Sequence, residues 1–178
     1  MPNYIKIHIA LIIIFLLSFL NSVIPVLRFE NIKFNYYYFL IIVIAIPVLL
    51  LLNGLKFSKT PKIINSLILL IPILLSIIFT IFIYYDLKLI KDDYDPSFEK
   101  IKSFQFDNNF VNVYRTNGGA TTDFGIIVRN EREIFPGILL VKKLYSEYHR
   151  YKIEAKKIGN NTIQIENEKY KVNNFVYF

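Results

Sequence analysis

Residues 63–85 read IINSLILLIPILLSIIFTIFIYY, a continuous apolar stretch without Asp, Glu, Lys or Arg. Residues 7–27 and 36–52 form two more stretches of this kind. A helix of about 18 or more such residues is long enough to cross a hydrocarbon core of about 30 Å. Lipid offers the backbone no hydrogen-bond partner, and the stretches do not alternate as barrel strands do. We therefore predict three transmembrane helices.

The second half of the chain has a different pattern. Short alternating segments, which are typical of half-buried strands, lie at residues 101–106, 110–115, 124–129, 151–158, 162–166 and 169–172. They predict an antiparallel sheet of five to seven strands. The expected fold is membrane α plus β, with three transmembrane helices followed by a small, mainly antiparallel β (α+β) soluble domain. We expect a transmembrane domain over 1–85, a juxtamembrane linker over 86–100 and a β-rich domain over 101–178.

The segment 137–151 fits two structures. A strand would suit residues 138–141, whereas the spacing of the larger apolar residues suits one face of a helix: Leu139, Leu140, Leu144, Tyr148 and Tyr151. Whether residues 138–150 form a helix or a strand stays open at this point, and a short helix is the preferred interpretation.

The charge distribution indicates orientation rather than a nucleic-acid partner. The net charge is +7, and residues 1–85 contribute +5 of it. Lys56, Lys59 and Lys62 lie in the short connection after the second apolar stretch, which predicts that this connection is cytoplasmic. The N-terminus would then be cytoplasmic as well, and the β domain would be periplasmic or extracellular at a bacterial cytoplasmic (inner) membrane. The soluble half lacks the basic stripe with aromatic residues that nucleic-acid binding would require.

The most distinctive loop of the soluble half spans residues 117–125, NGGATTDFG. Backbone N–H groups of such a glycine-rich loop can form a concave nest that binds anions. The candidate ligand-binding residues are Gly118, Gly119, Thr121, Thr122 and Asp123. The alternative is a plain strand connection in which glycines adopt positive φ and Thr or Asp caps the turn.

The string GGATTDFG at 118–125 also resembles a motif of small bacterial membrane and envelope proteins of uncharacterised function. The resemblance extends over residues 108–172 only. It implies association with the envelope and no catalytic residue.

The sequence indicates no catalytic group, metal site or cofactor. The chain has no Cys, which excludes disulfides and Cys-based zinc sites. We expect a non-enzymatic integral membrane protein with a small binding domain, for interaction or immunity-type protection at the bacterial envelope. The alternative is a ligand-sensing membrane effector, with a cytoplasmic β domain and oligomeric helices that perturb the bilayer. The expected partners are the lipid bilayer and either another protein or a second copy associating through the helices.

Overall fold

The computed structural model describes residues 1–91, 94–117 and 123–172. The chain forms two compact units. The helical unit comprises Met1–Ile24 and Lys33–Leu89, and the β unit comprises Pro25–Ile32 and Ile90–Phe178. The predicted fold class is confirmed, because three long apolar helices precede a mainly antiparallel β structure.

The helices are α1 (Asn3–Val23), α2 (Ile32–Gly54) and α3 (Lys59–Leu89). All three are long and apolar enough to cross a membrane. The expected end of the first helix, residue 27, is wrong, because α1 ends at Val23. Pro25 follows two residues later, and a proline disfavours helical geometry in the residue before it. In contrast, α2 and α3 continue through Pro47 and Pro72.

Side chains from all three helices meet inside the helical unit. Ile46, Leu50 and Leu69 are buried there, with Leu11 and Phe15 packed against them. Most of the other large apolar side chains of the helices point outward; Leu67, for example, is 66% exposed. An apolar surface of this extent is not stable in water, so lipid is the expected solvent of the helical unit.

The β unit contains two sheets. The larger has five strands, β1 (Leu27–Phe29), β2 (Phe98–Phe106), β3 (Asn109–Asn117), β4 (Phe124–Phe135) and β5 (Ile138–Tyr148). Their order is β1-β5-β4-β3-β2, and every pair of neighbours is antiparallel. The smaller sheet has the order β6-β7-β8, with β6 at Ala155–Gly159, β7 at Thr162–Ile165 and β8 at Glu168–Lys171.

The short helix expected over 137–151 is wrong, because residues 138–148 form strand β5. Eleven residues of β5 run alongside β4, from the pair Phe135↔Ile138 to the pair Gly125↔Tyr148. The register passes from Val128↔Tyr145 to Arg129↔Lys143, so the pairing skips Leu144 of β5. Ladder pairing with β4 therefore overrides the local pattern.

β1 was not expected at all. It lies between α1 and α2, yet it forms the edge of the large sheet by pairing with β5. The register runs from Leu27↔Leu140 to Phe29↔Ile138. The connection between the first two membrane helices and the C-terminal strands therefore belong to one folded unit.

The apolar core of the β unit lies between the two sheets. Alternate residues of β3 and β4 face this core, and β7 supplies the opposing side chains. The fully buried members are Val111, Val113, Ile126, Val128, Ile163 and Ile165, together with Phe106 and Val172. The other side of the large sheet carries polar side chains, among them Asn112 of β3 and Glu131 of β4.

Candidate functional site

The predicted ligand loop joins β3 to β4. The last residue of β3 and the first of β4 are paired, Asn117↔Phe124, so the loop closes a hairpin. Gly118, Gly119, Thr121 and Thr122 lie outside the described residues. Asp123 is described, and it lies at the base of the hairpin.

The carboxylate of Asp123 has two hydrogen-bond partners. Oδ1 accepts a hydrogen bond of 2.8 Å from the N–H of Phe124, and Oδ2 lies 2.8 Å from Nδ1 of His149. The backbone N–H of Asp123 donates to the hydroxyl of Tyr148 at 3.1 Å. The hydrogen bond from His149, with the one from Phe124, lowers the pKa of Asp123. Hydrogen bonds therefore connect Asp123 to Tyr148 and His149 at the end of β5.

Aromatic rings and a guanidinium group lie next to Asp123. The rings of Phe124 and Tyr151 form an edge-to-face pair with centroids 5.0 Å apart. The guanidinium group of Arg115 lies 4.3 Å from the centroid of Tyr151, within the range of a cation–π contact. Glu99 holds Arg115 in place by an ion pair.

We call this group the loop-end cluster: Arg115, Asp123, Phe124, Tyr148, His149 and Tyr151. Tyr148 is 56% exposed and Tyr151 is 48% exposed. His149 has a φ of 58° and turns the chain after β5. The backbone N–H of the next residue, Arg150, donates to the carbonyl of Phe124 at 3.1 Å. The cluster therefore combines exposed aromatic surface with both signs of charge on a fixed backbone.

Arg150 fixes the chain that follows the loop-end cluster. Its guanidinium group contacts the carboxylates of Glu147 and Glu166, each at 2.6 Å. Glu166 also accepts a hydrogen bond of 3.1 Å from the N–H of Glu154. These contacts connect the end of β5 with the small sheet and hold the cluster's residues in position.

A second polar group, buried, was missed by the sequence analysis. Glu131 of β4 is 3% exposed. It accepts hydrogen bonds from the Tyr114 hydroxyl at 2.9 Å and from Nδ2 of Asn112 at 2.8 Å. Nη1 of Arg28 lies 3.4 Å from the same carboxylate. We call these four residues the Glu131 network.

Burial determines the protonation of two groups in and beside this network. Desolvation, followed by the negative charge of Glu131, raises the pKa of Tyr114 well above its ordinary value, so the hydroxyl stays protonated and donates. Desolvation and the charge of Arg28 lower the pKa of Arg129 to about 10. Arg129 stays charged at neutral pH and lies 4.3 Å from the ring centroid of Phe98.

The two polar groups differ in what they offer a ligand. The side chains of the Glu131 network bond to one another, which is typical of a group that specifies structure. The loop-end cluster is exposed, and aromatic residues and Arg of this kind are enriched at protein interfaces. Among the described residues, no set of three His, Asp or Glu side chains is placed to hold a metal ion.

Sequence reasoning found one member of the loop-end cluster, Asp123, and missed the rest. The sequence feature that could have indicated the other members is the closely spaced group Tyr148, His149 and Tyr151, which lies at the end of the segment expected to be helical. The Glu131 network has no such signal, because Glu131 lies in a run of polar residues, 129–133, that does not differ in pattern from a solvent-exposed strand end.

Comparison with known proteins adds no identification: no family model matches this chain, and neither the curated proteins nor the solved structures contain a match.

Proposed function

We propose that this chain is a non-enzymatic, membrane-anchored binding protein whose β unit presents the loop-end cluster to a protein partner. The observation that carries the proposal is the exposure of Tyr148 and Tyr151 on a backbone fixed by ion pairs and hydrogen bonds. Tyr and Arg supply a large share of the binding energy at protein interfaces. Side chains that are already ordered lose little entropy on binding, which favours affinity.

The position of the cluster supports the same role. The first residues of β5 pair with β1, and the loop-end cluster lies at its last residues. Its 11 residues cover roughly 33 Å at about 3.3 Å per residue. The cluster therefore lies at the end of the large sheet away from the strand that continues into α2.

The proposed location is a bacterial cytoplasmic membrane, with the N-terminus in the cytoplasm and the β unit outside. Support comes from Lys56 in the connection between α2 and α3 and from Lys62 in the first turn of α3, since Lys and Arg are enriched at the cytoplasmic ends of membrane helices. One concrete version of this function is an immunity-type protein that binds a membrane-active toxin, because such a protein needs only an anchor and a recognition surface.

The proposal is tested by site-specific photo-crosslinking in living cells. A photoreactive phenylalanine replaces Tyr148 in one variant and Ile158, an exposed residue of β6, in the control. We expect a discrete protein adduct from position 148 that is absent from position 158 and is lost when Arg115→Ala is added. Equal adducts from both positions, or none from position 148, would contradict the proposal.

The second candidate, a ligand-sensing membrane effector, is favoured by one contact. Arg28 lies in the connection between α1 and α2 and pairs with the buried Glu131, so a change in the sheet could act on the helices. In this function the β unit is cytoplasmic, ligand binds at the loop after β3, and overexpression depolarises cells unless Gly119→Asp blocks the loop. A membrane potential that overexpression leaves unchanged argues against it.

The two functions differ in the side of the membrane on which the β unit lies. A reporter enzyme that is active only outside the cytoplasm, fused after residue 178, should be active if the chain is the proposed binding protein. Activity of a cytoplasmic reporter at the same position, with none from the external one, would favour the effector.

A further inference from the structure

The turn between β4 and β5 carries an exposed apolar surface. Ile134 is 49% exposed and Phe135 is 66% exposed, and Pro136 is exposed as well. Pro136 and Gly137 form the centre of the turn, and Gly137 has a φ of 75°, the left-handed value that a type II turn requires at this position. We call residues 134–138 the hairpin tip. Nothing in the loop-end cluster accounts for it, because the two lie at opposite ends of β4.

The hairpin tip lies beside β1. Ile138 pairs with Phe29, and the carbonyl of Gly137 accepts a hydrogen bond of 2.9 Å from the N–H of Glu30. α2, one of the membrane-spanning helices, begins at Ile32. Two residues of extended chain cover at most about 7 Å. The interfacial region on each side of a hydrocarbon core is about 5 to 7 Å thick.

Both backbone polar groups of Gly137, at the centre of the hairpin tip, have hydrogen-bond partners. The N–H of Gly137 donates to Oε1 of Glu133 at 3.0 Å, and its carbonyl is satisfied by Glu30. Phe135 and Ile138 face each other in the β4–β5 ladder. A segment at membrane depth must satisfy its own backbone polar groups, and this turn does so at Gly137.

We propose that the hairpin tip is a second membrane contact, in which Ile134 and Phe135 enter the headgroup region of the bilayer beside the start of α2. The occupant of this surface is phospholipid rather than a protein, because the tip is tied through Glu30 to a helix that begins in the membrane. The contact is independent of what the loop-end cluster binds.

The absence of Trp from the chain permits a direct test. Phe135→Trp places a single tryptophan in the hairpin tip, and the matched control Tyr148→Trp places one at the far end of β5. Each full-length variant is reconstituted in phosphatidylcholine vesicles with ordinary or brominated acyl chains. For Phe135→Trp we expect blue-shifted emission and loss of most of the fluorescence on brominated lipid. For Tyr148→Trp we expect quenching by aqueous acrylamide and no response to bromination.

Three results would overturn the proposal. The first is quenching of Phe135→Trp by acrylamide as strong as that of Tyr148→Trp, which places the hairpin tip in water. The second is protection of Phe135→Trp from acrylamide without sensitivity to bromination, which places a protein there. The third is quenching of both variants by brominated lipid, which means that the hairpin tip is not a distinct contact.

A second pair of variants covers the case in which Phe135→Trp does not fold. The chain has no native Cys, so Ile134→Cys and Tyr148→Cys can each carry one environment-sensitive fluorophore. The same vesicles and quenchers then give the same comparison, with the same results supporting or overturning the proposal.

Discussion

Arg28 and Glu131 are 103 residues apart in sequence, and their guanidinium and carboxylate groups lie 3.4 Å apart. Arg28 belongs to the edge strand β1 and Glu131 to β4, with β5 between them in the sheet. β1 has only three residues, and the ion pair adds a side-chain contact to this short stretch of backbone pairing. The ion pair therefore fastens the connection between two membrane helices to the interior of the β unit.

Removing one partner of this ion pair should destabilise the β unit. Arg28→Met leaves the buried Glu131 without its cation, and the loss of one member of a buried pair costs about 3 kcal/mol. Chemical unfolding of the detergent-solubilised protein, followed by near-ultraviolet circular dichroism, measures the change. The control is Lys143→Met at an exposed position of β5, where we expect a change within about 0.5 kcal/mol.

The same pair can be examined by a double-mutant cycle. Arg28→Met combined with Glu131→Gln should cost less than the sum of the two single substitutions, since the second change removes the uncompensated charge. Additive effects would contradict the ion pair as a stabilising contact.

Asn130 should stabilise the β unit through its contact with Val172, the residue that follows β8. It is fully buried, and its side-chain amide donates to the carbonyl of Val172. Asn130→Ala leaves that carbonyl with a weaker donor, at a cost of about 1 to 3 kcal/mol. Asn109 contacts the same carbonyl at 3.4 Å, so Asn109→Ala should cost less. Thermal unfolding of both variants checks the order, and a larger loss for Asn109→Ala would refute it.

Gly125 should resist substitution because of close packing. A Cβ atom there would lie 2.8 Å from Oγ1 of Thr116 and 3.3 Å from the carbonyl oxygen of Glu147. We expect Gly125→Ala to cost about 1 to 3 kcal/mol, and Thr116→Ala to restore part of the loss by removing the hydroxyl. At Gly159 nothing lies within 4 Å of the added Cβ, so Gly159→Ala should leave the melting temperature nearly unchanged. Equal shifts for the two glycines would show that the close approach is absent.

The pairing of Asp123 with His149 should depend on pH. The hydrogen bond from His149 lowers the pKa of Asp123, so the folded state favours the carboxylate. The contribution of this contact is present above the ordinary Asp pKa of about 4 and is lost as the pH falls through the lowered value. Nuclear magnetic resonance of the side-chain carbonyl should show Asp123 titrating at lower pH in the native chain than in His149→Ala. Identical midpoints would mean that the contact does not form in solution.

The sequence was sufficient for the elements that depend on local pattern. Continuous apolar residues specify the three helices, and strict alternation specifies strands such as β3, where Val111 and Val113 face the core. Two strands depended on partners far away in sequence. β5 has leucines at helical spacing and becomes a strand through its pairing with β4. β1 was not predicted because Leu27 continues the first apolar stretch, although Pro25 marks the end of the helix.

The candidate site was predictable only in part for the same reason. Asp123 was identified because it lies in the glycine-rich segment 117–125. Its partner His149 follows β5, and the pairing of β5 with β4 brings the two residues together. The Glu131 network needs β1, β3 and β4 to lie in one sheet in the observed order, and no local pattern in the sequence specifies that arrangement.

The connection between α1 and α2 and the strands that follow α3 belong to one folded unit, so we expect all of them on the same side of the membrane. Because the chain has no Cys, single cysteines can be placed at Glu30, Lys56 and Ile158, all exposed, and labelled in intact cells with a membrane-impermeant maleimide. We predict that positions 30 and 158 are labelled and that position 56 is labelled only after the membrane is opened. Labelling at only one of positions 30 and 158, or at all three in intact cells, would contradict the account.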